Sequence, residues 1–296
     1  MRNVMNKSVA IFALAAVTTT PVLAAEQPVT INLHNKEIAS ILNLPEGVEN
    51  PPVVLMMHGF TGSKNEFSIG GTEIGLYTFM ADKLAQAGIA SLRIDFTGSG
   101  ESSGSWEDTR FSGQIADAVH AFDYLQTLPS VDGSRIGILG YSQGGLVGSH
   151  LAAVRPEANA VVLWAPVTNP VATYSTIMGV DKVAEGLATD ADQSITADLS
   201  WGGQTTLKGG FFHELPLMSA AGAIASYPGP LRVIVGSKET IVAPQPIMGQ
   251  QMLNYHKGAE DLVVLDSDHD FGAGASVDLA ERELAPKTVE WFEANL

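Results

Sequence analysis

Six residues constrain this chain more than anything else in it. Gly140-Tyr141-Ser142-Gln143-Gly144-Gly145 follows directly on the apolar run Ile136-Gly137-Ile138-Leu139, and an apolar, helix-compatible stretch from Leu146 to Val154 comes straight after. A buried strand that passes through a glycine-flanked turn into a helix is compatible with few architectures. The sharp turn lifts a serine Oγ above the sheet edge. Small flanking residues let strand and helix approach closely, and the helix N-terminus behind the serine offers free N–H groups to a developing negative charge. The same G-x-S-x-G pattern occurs once more, at Gly100-Glu101-Ser102-Ser103-Gly104. That copy lies in a Gly/Ser-rich stretch, Thr97 to Ser105, followed by Trp106-Glu107-Asp108, with no helix opening behind it. Ser102 is therefore expected to be a turn-forming loop serine, and Ser142 the nucleophile.

The rest of the chain alternates strand and helix signals around that turn. Val29 to Leu33 and Glu37 to Leu42 read as an edge hairpin of alternating polar and apolar residues. Val53 to Met57 is a continuous apolar run, as in a strand buried on both faces. Ile74, Tyr77, Met80 and Leu84 have helical spacing, closed by Gly88, and Ile89 to Phe96 is the next strand. Ile115, Val119, Phe122 and Leu125 mark a helix with Ser112 as its candidate cap. After Val161 to Trp164 the alternation stops: residues 168 to about 228 show no strong strand, only an acidic segment (Asp181 to Asp198) and then Trp201, Gly202-Gly203 and Gly209-Gly210-Phe211-Phe212. It resumes with Leu231 to Val235, a helix over Pro246 to Tyr255, Leu262 to Leu265, and a last helix from Leu279 to Phe292. This order predicts an α/β fold, a mostly parallel sheet with helices on both faces. Residues 168–228 are then an insertion over the strand C-termini, where such sheets bind ligands.

The N-terminus reads as a cleavable signal peptide over residues 1–24. Arg2 and Lys7 supply the positive region, Val9 to Val17 an apolar core too short to span a bilayer, and Val22-Leu23-Ala24 the small residues before Ala25. A periplasmic or secreted protein of residues 25–296 is expected, with no stable membrane insertion after cleavage. The formal charge is −16, or −18 once Arg2 and Lys7 are gone, which makes nucleic acid and anionic membrane surfaces poor partners. The chain has no cysteine, so thiol catalysis and Cys-based metal sites are excluded. Nothing in the sequence specifies an oligomeric state.

A serine hydroxyl needs a base, and there are seven histidines. His269 alone sits on a loop after the last strand, within Asp266-Ser267-Asp268-His269-Asp270-Phe271. In the chain order nucleophile, acid, base it is the expected partner of Ser142. His120 and His150 fall on helices, and His213 falls in the insertion, where a surface role is expected. The base needs an orienting carboxylate. The loop after Val161–Trp164, Ala165-Pro166-Val167-Thr168-Asn169, has none, whereas Glu239 is the one acid in Gly236-Ser237-Lys238-Glu239-Thr240-Ile241-Val242. Asp266 and Asp268 are the alternatives. An acyl-transfer site also needs donors for an oxyanion. The N–H of Gln143, next to the nucleophile, and that of Phe60, in the loop His58-Gly59-Phe60-Thr61-Gly62 after Val53–Met57, are the candidates. No ligand cluster for a metal and no cofactor motif accompanies them.

Taken together, His58 to Gly62, Arg93 to Ser102, Gly140 to Gly145, Gly236 to Val242 and Asp268 to Phe271 resemble the bacterial cinnamoyl/feruloyl esterases, serine esterases of the α/β-hydrolase superfamily. The likeness runs from about residue 30 to 295, with the motifs in the same order, and extends to Leu207-Lys208-Gly209-Gly210-Phe211-Phe212 and Glu214-Leu215-Pro216. It departs from the family at Glu239, where an aspartate is usual, and at the acidic front of the insertion. The resemblance implies an α/β-hydrolase fold with a lid inserted after the sixth strand. It also implies a cofactor-free serine carboxylesterase acting on a small-molecule ester, hydroxycinnamoyl or otherwise. Tyr174, Trp201, Phe211 and Phe212 are the expected pocket walls. A serine peptidase of the same fold and a non-catalytic hydrolase-like binding protein are the alternatives.

Overall fold

The computed structural model describes residues 24–33 and 35–296. The expected leader, residues 1–24, lies outside them but for its last residue. Eight strands form one sheet in the order β1-β2-β4-β3-β5-β6-β9-β10. These are β1 (Ala24–Leu33), β2 (Lys36–Pro45), β3 (Val53–Met57), β4 (Ala90–Ile94), β5 (Ile136–Tyr141), β6 (Ala160–Trp164), β9 (Leu231–Gly236) and β10 (Glu260–Leu265). β1 and β2 form the expected antiparallel hairpin at one edge, and β2 pairs antiparallel with β4. Every pair from β4 to β10 is parallel.

The continuous apolar strands divide their side chains between two cores. Val53, Leu55 and Met57 of β3 face one, and Val54 and Met56 the other. The first core also takes Phe111, Ala118, Phe122 and Leu125 of α2 (Phe111–Thr127) and Leu146, Val147 and Leu151 of α3 (Gln143–Val154). The second takes Leu76, Tyr77, Met80 and Leu84 of α1 (Leu76–Gln86) and Ala285 and Phe292 of α9 (Ala285–Asn295). Helices therefore cover both faces, as a parallel sheet requires. Ser112 is not the cap of α2. That helix opens at Phe111 behind an extended Arg110, and Ser112 sits in its first turn. There its N–H and hydroxyl donate to the Glu214 carboxylate at 2.9 and 2.5 Å, so a distant acid does the work a cap would do.

Between β6 and β9 the chain leaves the sheet. It forms α4 (Pro170–Met178), α5 (Val180–Ala188), a two-stranded hairpin of β7 (Ser194–Asp198) and β8 (Gln204–Lys208), α6 (Gly209–Glu214) and α7 (Ala220–Ile224). The hairpin corrects the expectation of no strand here. Ser-Ile-Thr-Ala-Asp and Gln-Thr-Thr-Leu-Lys do alternate, burying Ile195, Ala197, Thr205 and Leu207, around a turn at Gly202 and Gly203 where φ is positive. The signal was faint because one of its inward residues is only a methyl group and another is a threonine. Tyr174, Ile177, Phe211, Phe212 and Leu215 join the first core, so this segment packs continuously with the sheet's own helices. Between β9 and β10 lies α8 (Ile247–Tyr255). Among the described residues no helix is long and apolar enough to cross a membrane.

Candidate active site

β5, β9 and β10 are parallel, so the loops that follow them open on the same edge of the sheet. Ser142 follows β5, Glu239 follows β9 and His269 follows β10. Ser142 has φ +52° and ψ −112°, a conformation that costs a non-glycine residue about 1–3 kcal/mol. Its own backbone holds it there. Its N–H donates to the Trp164 carbonyl at 2.8 Å, and its carbonyl accepts from the amides of Gly145 and Val167, both at 3.0 Å. The neighbouring glycines are needed for closeness. A Cβ on Gly144 would lie 2.0 Å from the Met57 carbonyl oxygen, and one on Gly140 would lie 2.3 Å from that of Gly144.

His269 Nε2 lies 3.0 Å from Ser142 Oγ, and its Nδ1 lies 2.6 Å from Glu239 Oε2. With Nδ1 donating to the carboxylate, Nε2 is left as the acceptor facing the serine hydroxyl. The Glu239 side chain is fully buried. Its second oxygen accepts from the amides of Ile241 and Val242 at 2.6 and 3.1 Å. Burial pushes this carboxyl up, but the hydrogen bond and charge of His269 and those two amides outweigh it and hold it below the usual carboxylate value. The longer glutamate stem thus reaches the ring and is fixed at both oxygens. The alternative acids do not take this place. Asp266 is exposed and pairs with Lys238 at 3.0 Å, and Asp268 accepts the Gly272 amide at 3.0 Å. Two other candidates are held elsewhere: His120 Nδ1 donates to the Ala116 carbonyl and His213 Nε2 to that of Thr189.

Phe60 lines the same cleft as Ser142 and His269, and Gln143 is the first residue of α3. Among the described residues neither amide N–H is given to a protein acceptor. The Gly59–Phe60 peptide is held from its carbonyl side, where Gly59 O accepts from His58 Nδ1 at 2.8 Å and from the Gly62 amide at 3.1 Å. In a trans peptide that leaves the Phe60 N–H pointing the opposite way. His58 suits this task. Burial drops its pKa to about 4, so the ring is neutral, and Nε2 accepts the Phe96 amide at 3.2 Å while Nδ1 keeps its proton for Gly59. The Gly59 amide donates to Glu66, whose carboxyl burial pushes up to about 8. Sequence reasoning missed Glu66. A single acid in a polar loop, eight residues beyond His58, carries neither a motif nor a period.

The cleft has a volume of about 690 Å³ and is lined around the triad by Phe60, Phe67, Tyr141, Ile177, Trp201 and Ile241. Of the four aromatic walls expected from sequence, only Trp201, at the β7–β8 turn, stands in it. Tyr174, Phe211 and Phe212 are fully buried and pack beneath it. Phe211 stacks on Phe111 at 5.1 Å and meets Tyr174 edge-on at 5.0 Å. The physical reason is size: these rings fill the space between α2, α4 and α6, and no room remains to face solvent. A shallower, hydroxyl-rich cleft of about 480 Å³ adjoins the first through Thr61 and Gly62, and contains no member of the triad. Among the described residues no group of three or more His, Asp or Glu side chains is placed to hold a metal.

Comparison with known proteins agrees with the fold. A family model described as alpha/beta hydrolase fold matches residues 52–215. The solved structure of Est1E from Butyrivibrio proteoclasticus with ferulic acid bound is 20% identical, with TM-score 0.69 over 89% of this chain and 98% of that one. Acetyl xylan esterase 1 from Thermoanaerobacterium is 15% identical, with TM-score 0.65 over 95% of this chain and 86% of that one. Among curated relatives, esterase FrsA of Vibrio cholerae is 32% identical over 124 residues, 42% of this chain and 27% of that protein. The matched segments span less than half the length of such relatives.

Proposed function

Because this chain belongs to the alpha/beta hydrolase fold family, we propose that it is a serine ester hydrolase working through an acyl-enzyme. One observation carries the reading: the continuous hydrogen-bonded line from Glu239 to His269 at 2.6 Å and from His269 to Ser142 at 3.0 Å. His269 Nε2 takes the hydroxyl proton as Ser142 Oγ bonds to the ester carbonyl carbon. The carbonyl oxygen becomes an oxyanion, held by the amides of Phe60 and Gln143. As the carbon–oxygen bond to the leaving group breaks, imidazolium His269 hands its proton to the departing alkoxide. Water then enters, gives a proton to Nε2 and attacks the acyl carbon. Collapse returns that proton to Ser142 and releases the acid. Glu239 stays ionised throughout and stabilises the imidazolium.

The cleft volume and its mixture of aromatic and aliphatic walls support a small acyl group, with hydroxycinnamoyl esters at the large aromatic end. Release of p-nitrophenol from p-nitrophenyl acetate, of ferulate from methyl ferulate and of p-nitroaniline from an aminoacyl nitroanilide tests the reading. Ester turnover that disappears in Ser142→Ala supports it. Turnover of the anilide alone would make the chain a peptidase, and none at all a binding protein. We also propose export, on the basic, apolar and small-residue order of residues 1–24. The intact mass of natively produced protein should begin at Ala25, and a mass retaining residues 1–24 would refute cleavage.

A further inference from the structure

Tyr174 belongs to α4, in the segment that leaves the sheet after β6, yet it touches both residues to which the oxyanion role falls. Its hydroxyl donates to Gln143 Oε1, and its ring meets the Phe60 ring edge-on at 5.2 Å. The Gln143 side chain is fully buried, and its Nε2 donates to Gln114 Oε1 of α2 at 2.7 Å. Both ends of that amide are thereby held, one by α4 and one by α2. A side chain held at both ends has one rotamer, and at the first position of α3 that restrains the backbone whose N–H stands beside the nucleophile. The Phe60 ring is partly buried and also packs on Trp106 at 5.3 Å and Phe211 at 5.9 Å, with its remaining face on the cleft.

We propose that Tyr174 is a positioning residue for the oxyanion hole, tying Gln143 through its hydroxyl and Phe60 through its ring, so that the insertion is part of the catalytic apparatus. The proposal rests on the serine-esterase reading above. It distinguishes placement from mere burial because a second tyrosine offers a matched case. Tyr227, also buried, donates its hydroxyl to the Ala158 carbonyl at 2.9 Å, away from the site.

The test is Tyr174→Phe, which keeps the ring and deletes the donor, with Tyr227→Phe as control and Ser142→Ala alongside. For Tyr174→Phe, kcat on p-nitrophenyl acetate should fall about tenfold to a hundredfold while KM moves less than about twofold, since a slightly misplaced donor is felt only as charge develops. Affinity for an aryl trifluoromethyl ketone, whose serine adduct carries the oxyanion, should fall by the same factor. Tyr227→Phe should keep native kcat and lose only thermal stability. A native kcat in Tyr174→Phe, a loss confined to KM, or an equal kcat loss in Tyr227→Phe overturns the proposal while the esterase reading stands. Turnover surviving in Ser142→Ala overturns both.

Discussion

Two segments of this chain spell G-x-S-x-G, and the fold uses them in opposite ways. In and just before Gly100–Gly104 the positive φ angles fall on glycines, +84° at Gly98, +52° at Gly100 and +101° at Gly104, where they cost little. At Gly140–Gly144 the positive φ falls on Ser142 itself, and the glycines serve close packing instead. The hydroxyls diverge accordingly. Ser102 Oγ donates to the Asp95 carbonyl at 2.7 Å and accepts the Ala39 amide at 2.8 Å, so the backbone uses it from both sides. Ser142 Oγ has His269 within 3.0 Å. Asp95 adds to the contrast by pinning its loop, receiving the Lys64 and Glu101 amides at 2.6 and 2.9 Å and the Lys64 ammonium at 2.6 Å. In one copy of the motif the serine oxygen is spent on the backbone, and in the other strand and helix hold the serine strained with its oxygen beside an imidazole.

Exchanging alanine for each serine is the strongest way to break that contrast. Ser142→Ala should lower kcat on p-nitrophenyl acetate by about 10⁶ with little change in unfolding midpoint. Next comes the charge behind the base. Glu239→Gln keeps the shape and should cost about 10⁴ in kcat, while Asp268→Asn should be far milder. The reverse order would move the acid to the His269 loop. Ser102→Ala should alter kcat by less than about tenfold, yet cost about 1–3 kcal/mol in urea unfolding, because it strips a partner from the Ala39 amide and the Asp95 carbonyl.

A pH comparison probes the loop that carries the Phe60 amide. Glu66 holds its proton to about pH 8 when folded, whereas an unfolded glutamate loses it near its ordinary 4.5. Between those values the folded state binds the extra proton, so this residue's contribution to stability declines as pH rises. Unfolding at pH 5 and pH 8 should therefore show a smaller decline for Glu66→Gln than for the native chain. An equal decline in both would mean that Glu66 ionises normally.

Much of the site was legible because local pattern and chain order coincide in this fold. Strand β5, the turn and α3 are contiguous, so Ser142 could be placed from neighbouring residues alone. His269 and Glu239 followed from which loops come after which strands, and Glu239 from the lack of another acid in its loop. The aromatic residues were legible only as apolar. Size and hydrophobicity say that Tyr174, Phe211 and Phe212 are sheltered, but not whether substrate or protein shelters them. That depends on how α4 and α6 pack against α2. Glu66 and Gln114 were invisible for a related reason. Each is a polar residue whose partner is distant in the sequence or is a backbone amide, and periodicity does not report such pairings.

We propose Ser142, and not Ser102, as the nucleophile. That assignment is tested most directly by treating the native chain with a fluorophosphonate and mapping the phosphonylated residue by peptide mass. One adduct per chain is expected, on the peptide containing Ser142, and none in Ser142→Ala. An adduct on Ser102, or one that persists in Ser142→Ala, would contradict it.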